Sequence, residues 1–254
     1  MPKFFVENSQ IKNELIEIQG EDVNHISNVL RLQKEDIITI TDKDTSNSYN
    51  TYIVELNKEK VICKIIEKIE DTTESKVRVT IFQGLPKADK MELIIQKTTE
   101  LGVNKIVPVS MKRCIVKLEG KDSIKKIERW RKIAEVASKQ SGRDVIPNIE
   151  NVENIKKVCE NIKYFDLFLV AYENEKENSL KNELTNFKIN LSKEKEECVE
   201  YKIGILIGPE GGIDIEEINL LKEAGAKTVS LGKRILRTET APITMLSNII
   251  YELE

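Results

Sequence analysis

Over the first seventy or so residues the apolar positions fall in short, β-branched and partly alternating runs: FFVE, ELIEIQ, DIITIT, YNTYIVEL and KVICKIIEKI. Alternation with a period of two predicts half-buried strands. One stretch keeps a different period. EDVNHISNVLRL spaces Val23, Ile26, Val29 and Leu30 as a helix would. The polar, unpatterned IEDTTESK then marks a boundary, giving a β-rich domain at residues 1–72 and a second domain at 73–254.

Beyond the boundary, strand and helix patterns alternate. VRVTIFQGL is a near-continuous apolar strand, and ADKMELIIQKTTELG is a helix closing on Gly102. KIVPVS is the next strand. DSIKKIERWRKIAEVASKQSG puts Ile124, Ile127, Trp130, Ile133, Ala134 and Ala137 on one face, with lysines and arginines opposite. DLFLVAY and YKIGILIG are further strands. IEEINLLKEA is a helix with Asp214 as N-cap and Glu217 three residues on, the pattern of a capping box. TVSLG and PITMLSNIIYEL complete the alternation, with Pro242 in the first turn of the last helix. Strands alternating with helices of this length predict a parallel sheet covered on both faces. The charged segment Glu173 to Glu200 interrupts the rhythm; Leu180, Leu184 and Phe187 are its only apolar stripe, which predicts a surface helix plus loop and no site.

Composition narrows the chemistry. The chain has 254 residues, a third of them charged, but a formal net charge of only −3, so the whole-chain balance names no partner. Its four cysteines, Cys63, Cys114, Cys159 and Cys198, form no CxxC pair and suggest neither a zinc site nor a disulfide framework. Scattered cysteines, a start without a signal-like apolar stretch and no run of membrane-spanning length predict a cytoplasmic protein without a membrane partner. The single histidine, His25, excludes a multi-histidine metal site, and no metal is expected.

The stretch ILIGPEGGIDIEEINLL carries the first candidate chemistry. A strand stops at Gly208, and Pro209, Glu210, Gly211 and Gly212 precede a helix. A phosphate-binding P-loop needs a lysine and a hydroxyl residue at the helix start, whereas Gly212 is followed by Ile213-Asp214-Ile215. A dinucleotide site needs GxGxxG and an acid ending the next strand, which instead ends in Ser230-Leu231-Gly232. Glu210, Asp214, Glu216 and Glu217 would moreover repel an anion there. The turn therefore suits a neutral or cationic ligand gripped by backbone, unless its glycines supply only unusual dihedrals.

A second segment, LGKRILRTETAPITML, crowds Lys233, Arg234, Arg237 and Glu239 into the loop after the next strand. Both segments leave the carboxyl ends of parallel strands, where ligands of such sheets bind. IGPEGGI followed by LGKRILRTETA resembles the two C-terminal motifs of the SPOUT methyltransferases, specifically the bacterial small-subunit (16S) ribosomal RNA uracil-N3 methyltransferases. KADKMELIIQKTTELGVNKIVPV, RWRKIAEVASKQSGR and HISNVLRL resemble other stretches of that family, so the likeness covers nearly the whole chain. Lys233 stands where a proline is expected, and Lys3 where an arginine is common; neither departure removes a reactive group.

That resemblance implies an α/β fold with a parallel-sheet SPOUT domain holding a trefoil knot, preceded by a small PUA-like β-barrel for RNA binding. It implies a homodimer acting on 16S ribosomal RNA of the small subunit, with S-adenosylmethionine as cofactor; a non-catalytic RNA-binding or ribosome-assembly protein of the same fold is the alternative. The cofactor would be held around Ile207, Gly208, Pro209, Glu210, Gly211, Gly212, Leu231, Gly232, Ile235, Leu236 and Thr240. Arg237 would stabilise the uracil anion. Glu239 would accept the proton or, equally, brace Arg237 while water takes it. The window from Lys105 to Val145 carries twelve basic against five acidic side chains, either an RNA-binding patch or an ordinary charged helix face. Lys112, Arg113, Arg129 and Arg143 there, with Lys3, His25 and Arg31 in the first domain, are the candidate RNA contacts. His25 is equally readable as a partly buried helix residue.

Overall fold

The computed structural model describes residues 1–191 and 200–254. The chain divides into two compact units, the first comprising Met1–Glu74 with Ser138–Ile146, the second Ser75–Ala137 with Pro147–Glu254. The opening stretch of the first unit ends at Glu74, where the sequence suggests a boundary after residue 72. The return of residues 138–146 to the first unit has no sequence signal, and its cause is a buried carboxylate described below.

In the first unit, strands β1 (Lys3–Val6), β2 (Ile11–Lys12), β3 (Leu15–Gln19), β4 (Ile37–Asp42), β5 (Ser48–Leu56) and β6 (Lys60–Ile69) form one sheet in the order β1-β4-β5-β6-β3-β2. Inward positions two apart, such as Ile16 and Ile18 or Ile38 and Ile40, pack with Phe4, Ile53 and Val61 into a closed apolar cluster. Cys63 lies in that cluster, where burial pushes its thiol up to about 12, so it is inert packing. The expected helix is only partly regular: α1 (Glu21–Asn24) runs into a single wide π-turn at His25–Val29. Val23 and Ile26 are buried as the spacing suggests, but the wider turn leaves Val29 and Leu30 exposed.

The second unit follows the alternation read from the sequence. Its elements are β7 (Val77–Gly84), α2 (Lys90–Glu100), β8 (Lys105–Ser110), α3 (Gly120–Ser141), β9 (Asn148–Ile149), β10 (Glu153–Asn154), α4 (Ile155–Asn161), β11 (Leu167–Ala171), α5 (Leu180–Leu191), β12 (Tyr201–Ile207), α6 (Ile215–Glu223), β13 (Lys227–Val229) and α7 (Thr240–Leu253), the last four residues of α3 belonging to the first unit. The sheet is parallel, in the order β10-β8-β7-β12-β11-β13, with β9 paired to β8. Phe82, Phe168 and Leu206 face α4 and α6 on one side, while α7 packs on β7 and β12 and against α2 and α5. Burial on both faces explains why these strands read as unbroken apolar runs. On α3, Ile127, Trp130, Ala134 and Ala137 are buried, but Ile124 near its start is exposed. The segment after β11 is part surface helix: α5 buries Leu180 and Leu184, and Phe187 packs edge-on against Tyr201. Residues 192–199 of that segment, Cys198 included, lie outside the described residues.

Register fixes where a site can form. Ile207 of β12 pairs with Gln83 of β7, Leu206 with Val170 of β11, and Ala171 with Val229 of β13. The carboxyl ends of four parallel strands therefore finish at one edge, and the loops leaving them converge.

Candidate active site

A cavity of about 420 Å³ opens at that edge. Its walls are the turn Ile207–Ile213 after β12, the loop Ser230–Thr238 after β13, Ala171–Glu173 after β11, and Lys90 and Ala241 from the starts of α2 and α7. All the cofactor residues expected from the sequence line it except Thr240. Thr240 is exposed at the first turn of α7, where its N–H bonds the Arg237 carbonyl, and Thr238 occupies the wall instead.

The two loops are tied to each other by buried hydrogen bonds. Thr238 Oγ1 donates to the Gly208 carbonyl at 2.8 Å and accepts from Gln83 Nε2 at 3.0 Å, and Gln83 also donates to the Gly84 carbonyl. One hydroxyl thus joins the ends of β7 and β12 to the loop after β13. Gly208 has no room for a side chain, since a Cβ there would lie 2.7 Å from Ile213 Cγ1. Gly212 has φ +71°, and its N–H closes the turn on the Pro209 carbonyl at 2.9 Å. The helix that follows starts as expected: Asp214 accepts from the Glu216 N–H, and Glu217 reaches back to the Asp214 N–H.

The acids of this turn are all partnered, which changes their meaning. Glu210 accepts from the Lys87 N–H at 3.0 Å and from Lys90 Nζ at 2.9 Å. Burial raises the Glu210 pKa, but Lys90 and the backbone donors outweigh it and hold the carboxyl below its usual range. Lys90 in turn is raised, first by its hydrogen bond to Glu210 and then by Glu239, 3.3 Å away. Asp214 is lowered, chiefly by the Glu216 N–H and then by Lys112 and Arg113. Lys112 pairs with Glu216 and its N–H bonds Glu217, while Arg113 Nη1 donates to the Gly211 carbonyl at 3.2 Å. The repulsion of anions read from the four acids is therefore largely cancelled. Lys90 is the residue the sequence reading missed: nothing in ADKMELIIQK marks one lysine as the bridge to Glu210 and Glu239 in two distant loops.

Arg237 and Glu239 stand side by side, Nη1 to Oε1 3.9 Å. Arg237 is 82% exposed at the cavity mouth. Glu239 is 15% exposed and outside the cavity lining, held between Lys90 and Arg237. Its Oε2 lies within ion-pair distance of Lys90 without a well-aligned hydrogen bond. The segment from Glu173, expected to hold no site, contributes Glu173 to the cavity wall beside Tyr172. The expectation fails because the first residues of that segment still belong to the carboxyl end of β11.

The candidate RNA contacts divide. Lys3 and Arg143 are buried in the first unit: Lys3 pairs with Asp144 at 2.6 Å, and Arg143 with Glu74 at 2.6 Å. Neither presents its charge to a phosphate. Lys112 and Arg113 serve the α6 start, and Arg129 bonds Glu92 at 2.8 Å. His25 and Arg31 are exposed, with the His25 ring edge-on to Phe4. Lys121, Lys125 and Lys126, in the first half of α3, are exposed and carry no ion pair among the described residues.

Comparison with known proteins agrees with this layout. Residues 73–250 match the model of the RNA methyltransferase domain, and residues 18–66 that of the RNA methyltransferase PUA domain. The class is that of a two-domain RNA methyltransferase. The chain is 38% identical over its whole length to ribosomal RNA small subunit methyltransferase E of Bacillus subtilis, covering 98% of that protein. It is 35% identical to the protein of the same name from Mesomycoplasma hyopneumoniae, over 99% of this chain and all of the relative. A crystal structure of the Neisseria gonorrhoeae ribosomal RNA small subunit methyltransferase E bound to S-adenosyl methionine superposes with a TM-score of 0.82 at 28% identity, covering 98% of this chain and 96% of that one. The chain belongs to the ribosomal RNA small subunit methyltransferase E family.

Proposed function

We propose that the chain transfers a methyl group from S-adenosylmethionine to N3 of one uridine in 16S ribosomal RNA of the small subunit, as a cytoplasmic homodimer. The observation that carries the reading is the single cavity built by the Gly208–Gly212 turn and the Leu231–Thr238 loop, in a chain similar throughout to a relative solved with that cofactor. The cavity suits such a ligand. Ile207, Ile213, Leu231 and Leu236 give it apolar walls, glycines bring backbone groups close, and its volume is that of a small-molecule site. Among the described residues, no helix is long and apolar enough to cross a membrane.

When bound, the cofactor supplies an electrophilic methyl group. The chain's own residues have the remaining work. Uracil N3 is a weak nucleophile until its proton leaves, and the charge then spreads onto the flanking carbonyl oxygens. Arg237, exposed at the mouth, can donate to such an oxygen and stabilise that charge. Glu239, pinned between Lys90 and Arg237 and outside the cavity lining, serves as the brace that aims the guanidinium, and water accepts the proton. The lysines of the first half of α3, like His25 and Arg31, are exposed and available to phosphates.

The experiment is methylation of small ribosomal subunits from a strain lacking the modification, with labelled cofactor and mapping of the product. Label at N3 of one uridine is the expected result. A folded chain that binds subunits but transfers nothing would replace this reading with a non-catalytic assembly role. Light scattering at twice the chain mass tests the dimer.

A further inference from the structure

Two carboxylates line the cavity, Glu210 and Glu173. Glu210 is satisfied by Lys90 and the Lys87 N–H. Glu173 differs: among the described residues no ion pair or hydrogen bond reaches its side chain. Its backbone is nevertheless anchored. The Tyr172 N–H bonds the Val229 carbonyl, and the Glu175 N–H bonds the Tyr172 carbonyl. Glu175 then anchors the loop, accepting from Thr228 Oγ1 and from the N–H groups of Glu177 and Asn178. The Glu173 carboxylate lies over Gly212, where a Cβ would come within 2.7 Å of its Oε1. Gly212 is required for its dihedral, φ +71°.

An anion on an anchored loop, without a protein partner among the described residues and beside a cavity whose other carboxylate is neutralised, can pair with a ligand cation. A carboxylate can also accept from a ribose diol, and that diol is common to all three ligands of the test below. We propose that Glu173 is a cofactor-binding residue whose carboxylate pairs with a positive charge of the methyl donor. The assignment rests on the cavity being the S-adenosylmethionine site. That donor carries two cations, the sulfonium and the α-ammonium, and the ligands below tell them apart.

The test is calorimetry on the full chain, wild type and Glu173→Gln, with three ligands. S-adenosylmethionine has both cations, S-adenosylhomocysteine only the ammonium, and 5′-methylthioadenosine neither. The variant should bind a cationic ligand about tenfold more weakly and methylthioadenosine unchanged. Weakening with S-adenosylmethionine alone assigns the sulfonium; equal weakening with S-adenosylhomocysteine assigns the ammonium. Unchanged affinity throughout, or equal loss for all three ligands, overturns the proposal. Wild-type protein that binds none of them overturns the cofactor reading itself, a result distinct from a variant matching a binding-competent wild type. Glu173 is exposed and has no bonded side-chain partner among the described residues, so superposable circular dichroism of the two proteins is the expected control.

Discussion

Asp144 offers a sharp test of how the first unit is held together. Its carboxylate, 5% exposed, accepts from Lys3 Nζ at 2.6 Å, the Thr73 N–H at 2.8 Å, the Thr72 and Thr73 hydroxyls at 3.1 Å, and the Ser48 hydroxyl. Five donors converge on it from β1, β5 and the segment after β6, which is why residues 138–146 fold with the first unit. Burial raises the pKa of Asp144, but the Lys3 and Ser48 hydrogen bonds, the Thr73 N–H and the Lys3 charge outweigh it and bring the group from 3.8 to about 2. At about 1.4 kcal/mol per unit, that displacement corresponds to roughly 2–3 kcal/mol of stability. The folded-state value is depressed, so the contribution is complete well above pH 3.8 and is lost as the pH falls toward 2. Asp144→Asn removes the charge and leaves the Lys3 ammonium, 7% exposed, without a counter-ion. Breaking a buried pair in this way costs about 3–5 kcal/mol, a large share of a domain's stability. Urea unfolding at neutral pH, with hydrogen exchange followed on peptides spanning β4–β6, should show that loss localised to the first unit. The wild-type acid transition between pH 4 and 2 should also flatten in the variant. A variant within about 0.5 kcal/mol of wild type, or superposable acid profiles, would refute the reasoning.

Other expectations concern the second unit. Arg237→Ala should lower methyl transfer about 100-fold or more while cofactor affinity changes little; calorimetry beside single-turnover rates separates the two. Glu239→Gln, which keeps the shape of the brace, should reduce the rate without altering the form of its pH dependence, and disappearance of the acid limb would instead make Glu239 the proton acceptor. Gly204→Ala should destabilise by about 1–3 kcal/mol, because a Cβ there would lie 2.3 Å from the Phe168 ring. Thermal unfolding measures it, and an unchanged midpoint would mean the ring moves freely.

Chain order and period alone determined a great deal: the alternation of strands and helices, the parallel sheet, the capping box at Asp214 and the two loops of the site. These depend on contacts between near neighbours, or on faces that repeat every two or 3.6 residues. Tertiary structure decided which charges meet. Lys90 reaches Glu210 and Glu239, Lys3 reaches Asp144, and Arg143 reaches Glu74, over separations for which no local pattern exists. Lys3 and Arg143 resemble surface contacts in the sequence because a basic residue gives no sign of burial until its acid is found. The turn at Gly208–Gly212 shows the same division. Its acids read as a field favouring a cation, but in the fold they are spent on Lys90, Lys112, Arg113 and the helix cap. The free negative charge comes from Glu173, thirty-nine positions before Gly212, and only the register of β11 against β12 and β13 brings the two together.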